Sequence, residues 1–160
     1  MKNRLNLINI ISTTVVVFVM VLMLLGFNHI GSNLVAWGAF VGCTSYTLSH
    51  AMREAPSWSV VSNGIGLVIG YIIIGIVQIL GLGIVGNSLV TAIFSGLIVF
   101  LPMCCYRLSA PLLFLGGLSA FAMGGGLENM VWLGLSIFHG YLFGIITEIV
   151  IYNLEERFFK

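Results

Sequence analysis

The sequence predicts an all-α integral membrane protein whose six transmembrane helices form two inverted three-helix repeats, with both termini in the cytoplasm. Three observations lead to this fold: a composition with very few charges, six long apolar stretches, and a self-similarity at a fixed offset. Of the 160 residues, 59% are hydrophobic and 7% are charged. An ordinary soluble domain is roughly 25% charged, so this chain cannot cover itself with a hydrated surface. Soluble enzymes, nucleic-acid-binding proteins and secreted disulfide scaffolds are therefore excluded.

Six apolar stretches follow one another with short connections. A spanning helix needs about 20 predominantly apolar residues, and the stretches have suitable lengths: 7–28, 33–50, 57–80, 87–106, 108–124 and 129–152. The runs are continuously apolar and lack the alternation of barrel strands. Backbone groups in lipid must be satisfied within the segment, which leaves helices. We expect a single membrane domain, 1–160, with repeat 1 at about 7–80 and repeat 2 at about 81–154.

The basic residues predict the orientation of these spans. Six spans place all of the basic residues on one side: Lys2, Arg4, Arg53, Arg107, Arg157 and Lys160. The three loops on the other side contain no Lys or Arg. Because cytoplasmic loops carry the excess of Lys and Arg, both termini are predicted to lie in the cytoplasm.

The chain resembles itself when it is shifted by 74 residues. Between positions 40 and 70, eight residues are identical to their shifted counterparts: Phe40 and Phe114, Gly42 and Gly116, Ser45 and Ser119, Glu54 and Glu128, Trp58 and Trp132, Ser62 and Ser136, Gly66 and Gly140, Gly70 and Gly144. The unit contains three spans, and an odd number inverts the second copy. Solute sites of inverted repeats lie near the midplane, where the halves meet. A shared membrane composition is the alternative explanation.

Glycines four residues apart predict which helices pack closely. The positions expected at helix interfaces are Gly38, Gly42, Gly66, Gly70, Gly116, Gly140 and Gly144. Small residues at this spacing let two backbones approach each other. We therefore expect spans two, three, five and six to form the core, with spans one and four outside it.

A run of hydroxyl and aromatic residues in span two is the candidate lining of a solute pathway. The predicted lining residues are Cys43, Thr44, Ser45, Tyr46, Ser119, Phe121 and His139. Neutral hydroxyls suit a small neutral or weakly charged solute, because they replace its water hydrogen bonds without a fixed charge. The alternative is that each hydroxyl bonds the carbonyl four residues back and that His139 only packs.

Glu148 is the one acidic residue well inside a span. It continues the stripe of Ser136, Gly140 and Gly144 by another four residues, so it is predicted to face a helix interface. Polar groups in the membrane usually face a partner or a wet cavity, which makes Glu148 a candidate for proton or cation coupling. A structural carboxylate near the cytoplasmic end is the alternative. Asn63, near the start of span three, is a second coupling or gating candidate.

Other chemistry has little support in the sequence. The three cysteines show no CxxC spacing and the chain contains no Asp, so no metal site and no cofactor are predicted. Cys43 and His50 are about 10 Å apart along one helix, which is too far for direct proton transfer. We therefore do not expect an enzyme.

Two motifs resemble those of the YcdZ-like bacterial inner-membrane proteins, a domain family of unknown function. The motifs in this chain are Trp37-x₂-Phe40-x-Gly42-Cys43-Thr44-x-Tyr46 and Pro111-x₂-Phe114-x-Gly116-x₄-Phe121-Ala122. The length and the six spans are also similar to that family, so the resemblance covers most of the chain. It implies a multi-pass protein of the bacterial inner membrane and implies no reaction.

These observations favour a small-solute channel or facilitator with a midplane site between spans 2/3 and 5/6. Proton coupling through Glu148 is a close variant. A non-transporting scaffold, or a subunit of a larger membrane complex, is the alternative. The expected partners are the lipid bilayer, a small solute and further copies of the chain in a trimer, with no nucleic acid.

Overall fold

The computed structural model describes residues 2–51, 56–81 and 83–159, and these contain six α-helices and no strands. The helices are α1 (Lys2–His29), α2 (Ala36–Ala51), α3 (Pro56–Leu80), α4 (Ile84–Cys104), α5 (Ala110–Met123) and α6 (Leu127–Phe159). The all-α prediction is confirmed for this part of the chain. The orientation argument from Arg53 and Lys160, and the repeat match of Glu54, lie outside the described residues.

Four of the described helices contain apolar segments long enough to cross a membrane. These segments are Ile10–His29, Ser57–Leu80, Ile84–Cys104 and Leu127–Leu154. The chain therefore has the helices of a multi-pass membrane protein. The other two helices, α2 and α5, have 16 and 14 residues and rise about 24 Å and about 21 Å, less than the hydrocarbon thickness of about 30 Å. These two are also the helices that the sequence predicts to be the shortest.

The ends of α5 show how particular residues favour the start and the end of a helix. Pro111 lies in the first turn, where a missing backbone N–H breaks no helical hydrogen bond. The helix ends at Gly124, whose φ of 82° is a left-handed value that glycine adopts without steric cost. Gly126, with φ of 114°, completes the short turn into α6. The two helices are thus joined closely, and α6 begins directly beside the end of α5.

Two pairs of helices make the most extensive contacts, α2 with α6 and α3 with α5. Contacts along the first pair advance together in both helices: Val35 with Ser136, Gly42 with Ile137, and Tyr46 with Gly144. Contacts along the second pair do the same: Ser62 with Ser109, Gly66 with Leu113, and Gly70 with Ala120. Each pair is therefore parallel.

The two pairs run in opposite directions. Contacts between α3 and the α6 side of the molecule move backwards in one helix as they move forwards in the other: Gln78 with Gly125, Leu67 with Gly134, and Ser59 with Tyr141. Since α3 is antiparallel to α6, the pair α2 and α6 is antiparallel to the pair α3 and α5.

Apolar side chains fill the space where the two pairs meet. The buried members of this central cluster are Leu67, Ala120, Leu133 and Ile137, and half-buried side chains such as Trp37 and Val41 pack against them. The helices α1 and α4 lie outside, in agreement with the sequence prediction. Met20 and Leu24 of α1 pack with Phe143 of α6, while Ile98 of α4 packs with Leu113 of α5.

Candidate functional site

Backbones touch directly where α2 crosses α6. A Cβ atom on Gly42 would overlap the carbonyl oxygen of Ile137, and a Cβ atom on Gly140 would overlap that of Ala39. Any larger residue at either glycine would force the helices apart. The closest approach of this pair is thus set by two glycines, one contributed by each helix.

The pair α3 and α5 repeats this arrangement. A Cβ atom on Gly116 would overlap the carbonyl oxygen of Asn63, and one on Gly66 would overlap that of Leu113. Each of these residues lies 74 positions from its counterpart in the first pair. Gly38, Gly70 and Gly144 also have close neighbours on the facing helix. All seven glycines singled out from the sequence therefore lie at helix contacts.

A serine on each long helix accepts a hydrogen bond from the start of the short helix beside it. The N–H of Val35 donates to Oγ of Ser136 over 2.9 Å, and the N–H of Ser109 donates to Oγ of Ser62 over 3.1 Å. These two bonds are again related by 74 residues. The first turn of a helix has N–H groups without intrahelical partners, so the serines satisfy one such group in each short helix.

The close packing of α2 on α6 forms a polar groove, which we define by its lining residues. They come from α1, α2 and α6: Thr13, Cys43, Tyr46, Thr47, Gly144, Thr147, Glu148 and Ile151. The cavity measures about 240 Å³. Because Gly144 has no side chain, the Tyr46 ring lies directly against the α6 backbone, where a Cβ atom would be 2.8 Å from Cγ of the ring.

A hydrogen bond between α2 and α6 fixes the acid of the groove. The Tyr46 hydroxyl donates to Oε2 of Glu148, one helical turn beyond Gly144. The Tyr46 ring also packs edge to face on Tyr141, with centroids 5.1 Å apart and planes at 85°. Tyr46 is buried, whereas Glu148 is exposed on the surface of the single chain. The carboxylate is thus held in one orientation at the open side of the groove.

The hydroxyl groups of Thr47 and Thr147 donate hydrogen bonds within their own helices. Thr47 donates to the carbonyl oxygen of Cys43 and Thr147 to that of Phe143, each over 2.8 Å. A hydroxyl that donates in this way retains lone pairs and can still accept. The groove therefore offers acceptors on both helices beside a carboxylate.

The structure brings only part of the predicted solute pathway together. Cys43 and Tyr46 meet Glu148 in the polar groove. Thr44, Ser45 and Ser119 instead bond the carbonyls four residues back, which is the alternative that the sequence left open.

The other predicted site residues lie elsewhere. His139 packs against Phe27 and Phe143, with ring centroids 6.0 Å and 4.9 Å away. Asn63 is buried at the contact of α3 with α5. The predicted midplane site between spans 2/3 and 5/6 coincides with the filled central cluster.

Three polar residues of the groove were missed in the sequence, namely Thr13, Thr47 and Thr147, as was the apolar Ile151. Thr47 belongs to the polar run of span two, and Thr147 directly precedes Glu148, so both had a local signal. Thr13 lies in the short polar run Ser12-Thr13-Thr14 of an otherwise apolar helix. That run could have indicated that one face of α1 contacts a polar partner.

A second groove lies where the repeat offset would place a copy of the first. It is formed by α3, α4 and α5 and measures about 210 Å³, with the lining Ile73, Thr91, Ser95, Ile98, Phe114, Gly117, Leu118 and Phe121. Phe121 stands at the position related to Thr47, and Ile73 at the position related to Thr147. The position related to Glu148 is occupied by Ile74. This second groove is therefore mainly apolar and has no carboxylate among its lining residues.

The donor set of the polar groove does not resemble a metal centre. Within the ranges that the structure describes, no group of three or more His, Cys, Asp or Glu side chains converges. Cys43 is a half-buried thiol with no disulfide partner. The arrangement as a whole can hold one positive charge or one proton beside several hydroxyl acceptors.

Comparisons with protein-family models, with curated proteins and with solved structures found no match. The resemblance to the YcdZ-like family therefore stays a prediction that rests on the two motifs. The class that the described helices define is that of a multi-pass, all-helical membrane protein.

Proposed function

We propose that the protein is a small-solute channel or facilitator of the bacterial inner membrane, and that the polar groove is its solute site. The observation that carries this proposal is the carboxylate of Glu148, held by the Tyr46 hydroxyl in a groove between apolar helices. This places the proposed site beside α1, α2 and α6 rather than at the filled centre. Cys43 and Tyr46 of the predicted pathway remain part of the site.

The free-energy cost of an acid in lipid supports a functional role for Glu148. A carboxylate at the centre of a spanning helix costs about 2.5–3.5 kcal/mol. Glu148 lies six residues before the end of the apolar segment Leu127–Leu154, about 9 Å inside it. Packing of α2 on α6 does not need the acid, because the second helix pair packs in the same way with Ile74 at the related position.

Two features of the helix pairs support an inverted repeat of six spans. The glycine contacts and the serine hydrogen bonds recur at an offset of 74 residues. The two parallel pairs also run in opposite directions, as the two copies of an inverted repeat would. Short paired helices such as α2 and α5 mark solute sites in transporters of this type.

The proposal places both termini in the cytoplasm. Arg107, in the connection between α4 and α5, lies over the ring of Trp58 at the start of α3, 5.3 Å from its centroid. The connections before α3 and before α5 are therefore at the same end of the molecule. Cytoplasmic loops carry the excess of Lys and Arg, so Arg107 in this connection supports this orientation.

The open side of the groove supports a homo-oligomer. Glu148 is exposed on the single chain, and in a monomer this exposed side would face lipid. A neighbouring copy that covers the groove would remove the carboxylate from lipid and turn an open groove into an enclosed path. A trimer is the assembly we propose.

The filled centre favours one alternative, a non-transporting scaffold. Leu67, Leu133 and Ile137 occupy the space where the helix pairs meet, so the single chain has apolar packing where many transporters have a pathway. In this alternative the groove binds a side chain of a partner subunit. The flux experiment described next distinguishes the scaffold from the channel.

The test is solute flux into proteoliposomes, measured by stopped-flow light scattering with small neutral solutes, weak acids and amines. We expect selective flux that depends on pH, and Glu148→Gln should remove the pH dependence because it removes the one carboxyl group of the described lining. Ser95→Ala, in the second groove, is the matched control and should behave as wild type. Flux equal to empty liposomes for every solute, from protein shown to be folded and oligomeric, would overturn the proposal in favour of the scaffold.

A further inference from the structure

We infer that the polar groove binds a small primary alkylammonium ion, a monovalent cation that donates hydrogen bonds. The inference rests on the proposed function in that the groove is taken as the solute site. It goes beyond that function because it names the charge and the hydrogen-bonding character of the solute. The groups of the groove that donate hydrogen bonds, and those that accept them, determine this chemistry.

Three of the four hydroxyl groups in the groove are oriented to accept. The protons of Thr47 and Thr147 are directed to carbonyl oxygens of their own helices, and the proton of Tyr46 is directed to Glu148. Each hydroxyl has one proton and two lone pairs, so a ligand meets lone pairs at all three. An anion would find only the Thr13 hydroxyl and the weak Cys43 thiol as side-chain donors, and it would meet the carboxylate of Glu148.

Strong donors are missing from the described lining. It contains no Lys, Arg or His, and the thiol of Cys43 is a weak donor. The N–H groups of α2 and α6 at this level are inside helices and already bonded. Glu148 accepts only, when ionised, and it contributes the one formal charge of the lining. A single positive charge with N–H donors complements this set.

The shape of the groove selects among cations. One carboxylate is too few for Ca²⁺, which takes six to eight oxygen ligands, and Mg²⁺ requires near-octahedral geometry. An ammonium group has three donors, which match the carboxylate and two hydroxyls. The side chain of Ile151 gives the groove an apolar wall for a short alkyl chain. The face of an aromatic ring such as Tyr46 also attracts a cation.

The first experiment measures charge preference at Cys43 itself, in detergent-solubilised full-length protein with Cys104→Ser and Cys105→Ser. The probes are the cationic aminoethyl and the anionic sulfonatoethyl methanethiosulfonates, which have similar sizes. We expect the cationic probe to react faster by about tenfold, since a charged cleft raises local counter-ion concentration by such factors. With Glu148→Gln added, the ratio of the two rates should fall towards that of a free thiol in solution. Ethylammonium chloride should slow the reaction, and its uncharged analogue propane should not.

A cysteine in the second groove is the matched control. Leu118→Cys, with the three native cysteines replaced by Ser, places a thiol where no carboxylate lines the cavity. Its reaction should show no preference for the cationic probe beyond that of a free thiol in solution. A wild-type ratio at Cys43 no higher than that of a free thiol, or a ratio unchanged by Glu148→Gln, would overturn the inference. Equal protection by potassium chloride and ethylammonium chloride would also overturn it, in favour of an alkali-metal site.

Flux of radiolabelled ethylammonium separates the inference from the proposed function. The measurement uses proteoliposomes at mildly acidic pH, where little membrane-permeant free amine is present. Charge preference and protection at Cys43 without flux of any solute would uphold the cation site and overturn the transport function. Flux of neutral solutes, with neither flux of nor protection by ethylammonium, would uphold transport and overturn the inference.

Discussion

The polar groove and the second groove are built on the same helical frame, yet they differ in nearly every side chain that could bind a solute. Each lies beside a parallel pair of one short and one long helix, and their volumes are about 240 Å³ and 210 Å³. The positions related to Thr47 and Glu148 of the first groove are Phe121, which lines the second groove, and Ile74, which packs against the central cluster instead. The helix packing is therefore repeated in the second pair, whereas the polar side chains of the groove are not.

This difference separates what the fold needs from what the function needs. The glycine contacts and the serine hydrogen bonds occur in both helix pairs, so they belong to packing. The hydrogen bond from Tyr46 to Glu148 has no counterpart, because Ala120 and Ile74 stand at the related positions. Packing variants should therefore affect both pairs alike, and groove variants should affect function on one side only.

The largest effect is expected from leucine at a glycine that touches a facing carbonyl. Gly140→Leu and Gly66→Leu should each destabilise the fold by at least about 3 kcal/mol, because overpacking at a backbone contact forces the helices apart. Gly64→Leu is the matched control, since a Cβ atom there meets nothing within 4 Å. Thermal unfolding in detergent measures the effect. A large loss in one pair only would show that the two frames are not equivalent.

Exchanging the chemistry of the polar groove for that of the second groove should abolish flux without unfolding the protein. The variant is Tyr46→Ala, Thr47→Phe and Glu148→Ile, which copies the residues found 74 positions away. Its melting temperature should fall, because Tyr46→Ala removes a buried ring and such a loss costs about 3–5 kcal/mol, so circular dichroism first has to show that the variant is folded. Flux in proteoliposomes reports the function, and wild-type flux would exclude the groove as the site.

Removing only the hydroxyl of the groove tyrosine should give a smaller loss. Tyr46→Phe keeps the ring on Gly144 and deletes the donor to Glu148. A hydrogen bond to a charged group contributes about 1.5–3 kcal/mol, so we expect flux to fall roughly tenfold. Tyr141→Phe is the control, because it keeps the ring contact and leaves the groove lining unchanged. Equal losses in both variants would show that the flux does not depend specifically on the hydrogen bond from Tyr46 to Glu148.

The smallest effects are expected from the two serines that accept a hydrogen bond at the start of a short helix. These effects should be equal in the two helix pairs. Ser136→Ala and Ser62→Ala each leave the first turn of a short helix without an acceptor. Each should cost about 1 kcal/mol of unfolding free energy, with little change in flux. Ser88→Ala, on the exposed surface of α4, is the control. Differential scanning calorimetry would measure the shift in melting temperature. Unequal shifts would show that the two helix pairs are not equivalent.

Local sequence signals predicted the helices and their packing glycines, and they predicted the site only in part. Apolar length and a spacing of four residues are properties of one helix, so Gly66 and Gly140 could be placed on contact faces without tertiary information. The same spacing of four residues predicted that Glu148 faces a helix interface. Which helix lies opposite is a long-range property, and the contact of Tyr46 with Glu148 joins residues 102 positions apart.

The repeat also misled the prediction of the pathway. Ser119 and Phe121 were grouped with Cys43 because they occupy matching positions in the two halves. In the structure each short helix packs with the long helix of the other half, so matching positions lie in two separate grooves. A repeat with crossed partners distributes equivalent residues to different places instead of bringing them together.

The crossed pairing has a consequence for biosynthesis. The hydrogen bond that joins α3 to the start of α5 spans 47 residues of chain, whereas the one that joins the start of α2 to α6 spans 101. Chains emerge from the ribosome with the N-terminal part first, so α3 and α5 can pair while α2 still lacks its final neighbour. The helix α6, which is synthesised after α1–α5, then closes the polar groove, and no chain that lacks α6 can acquire it.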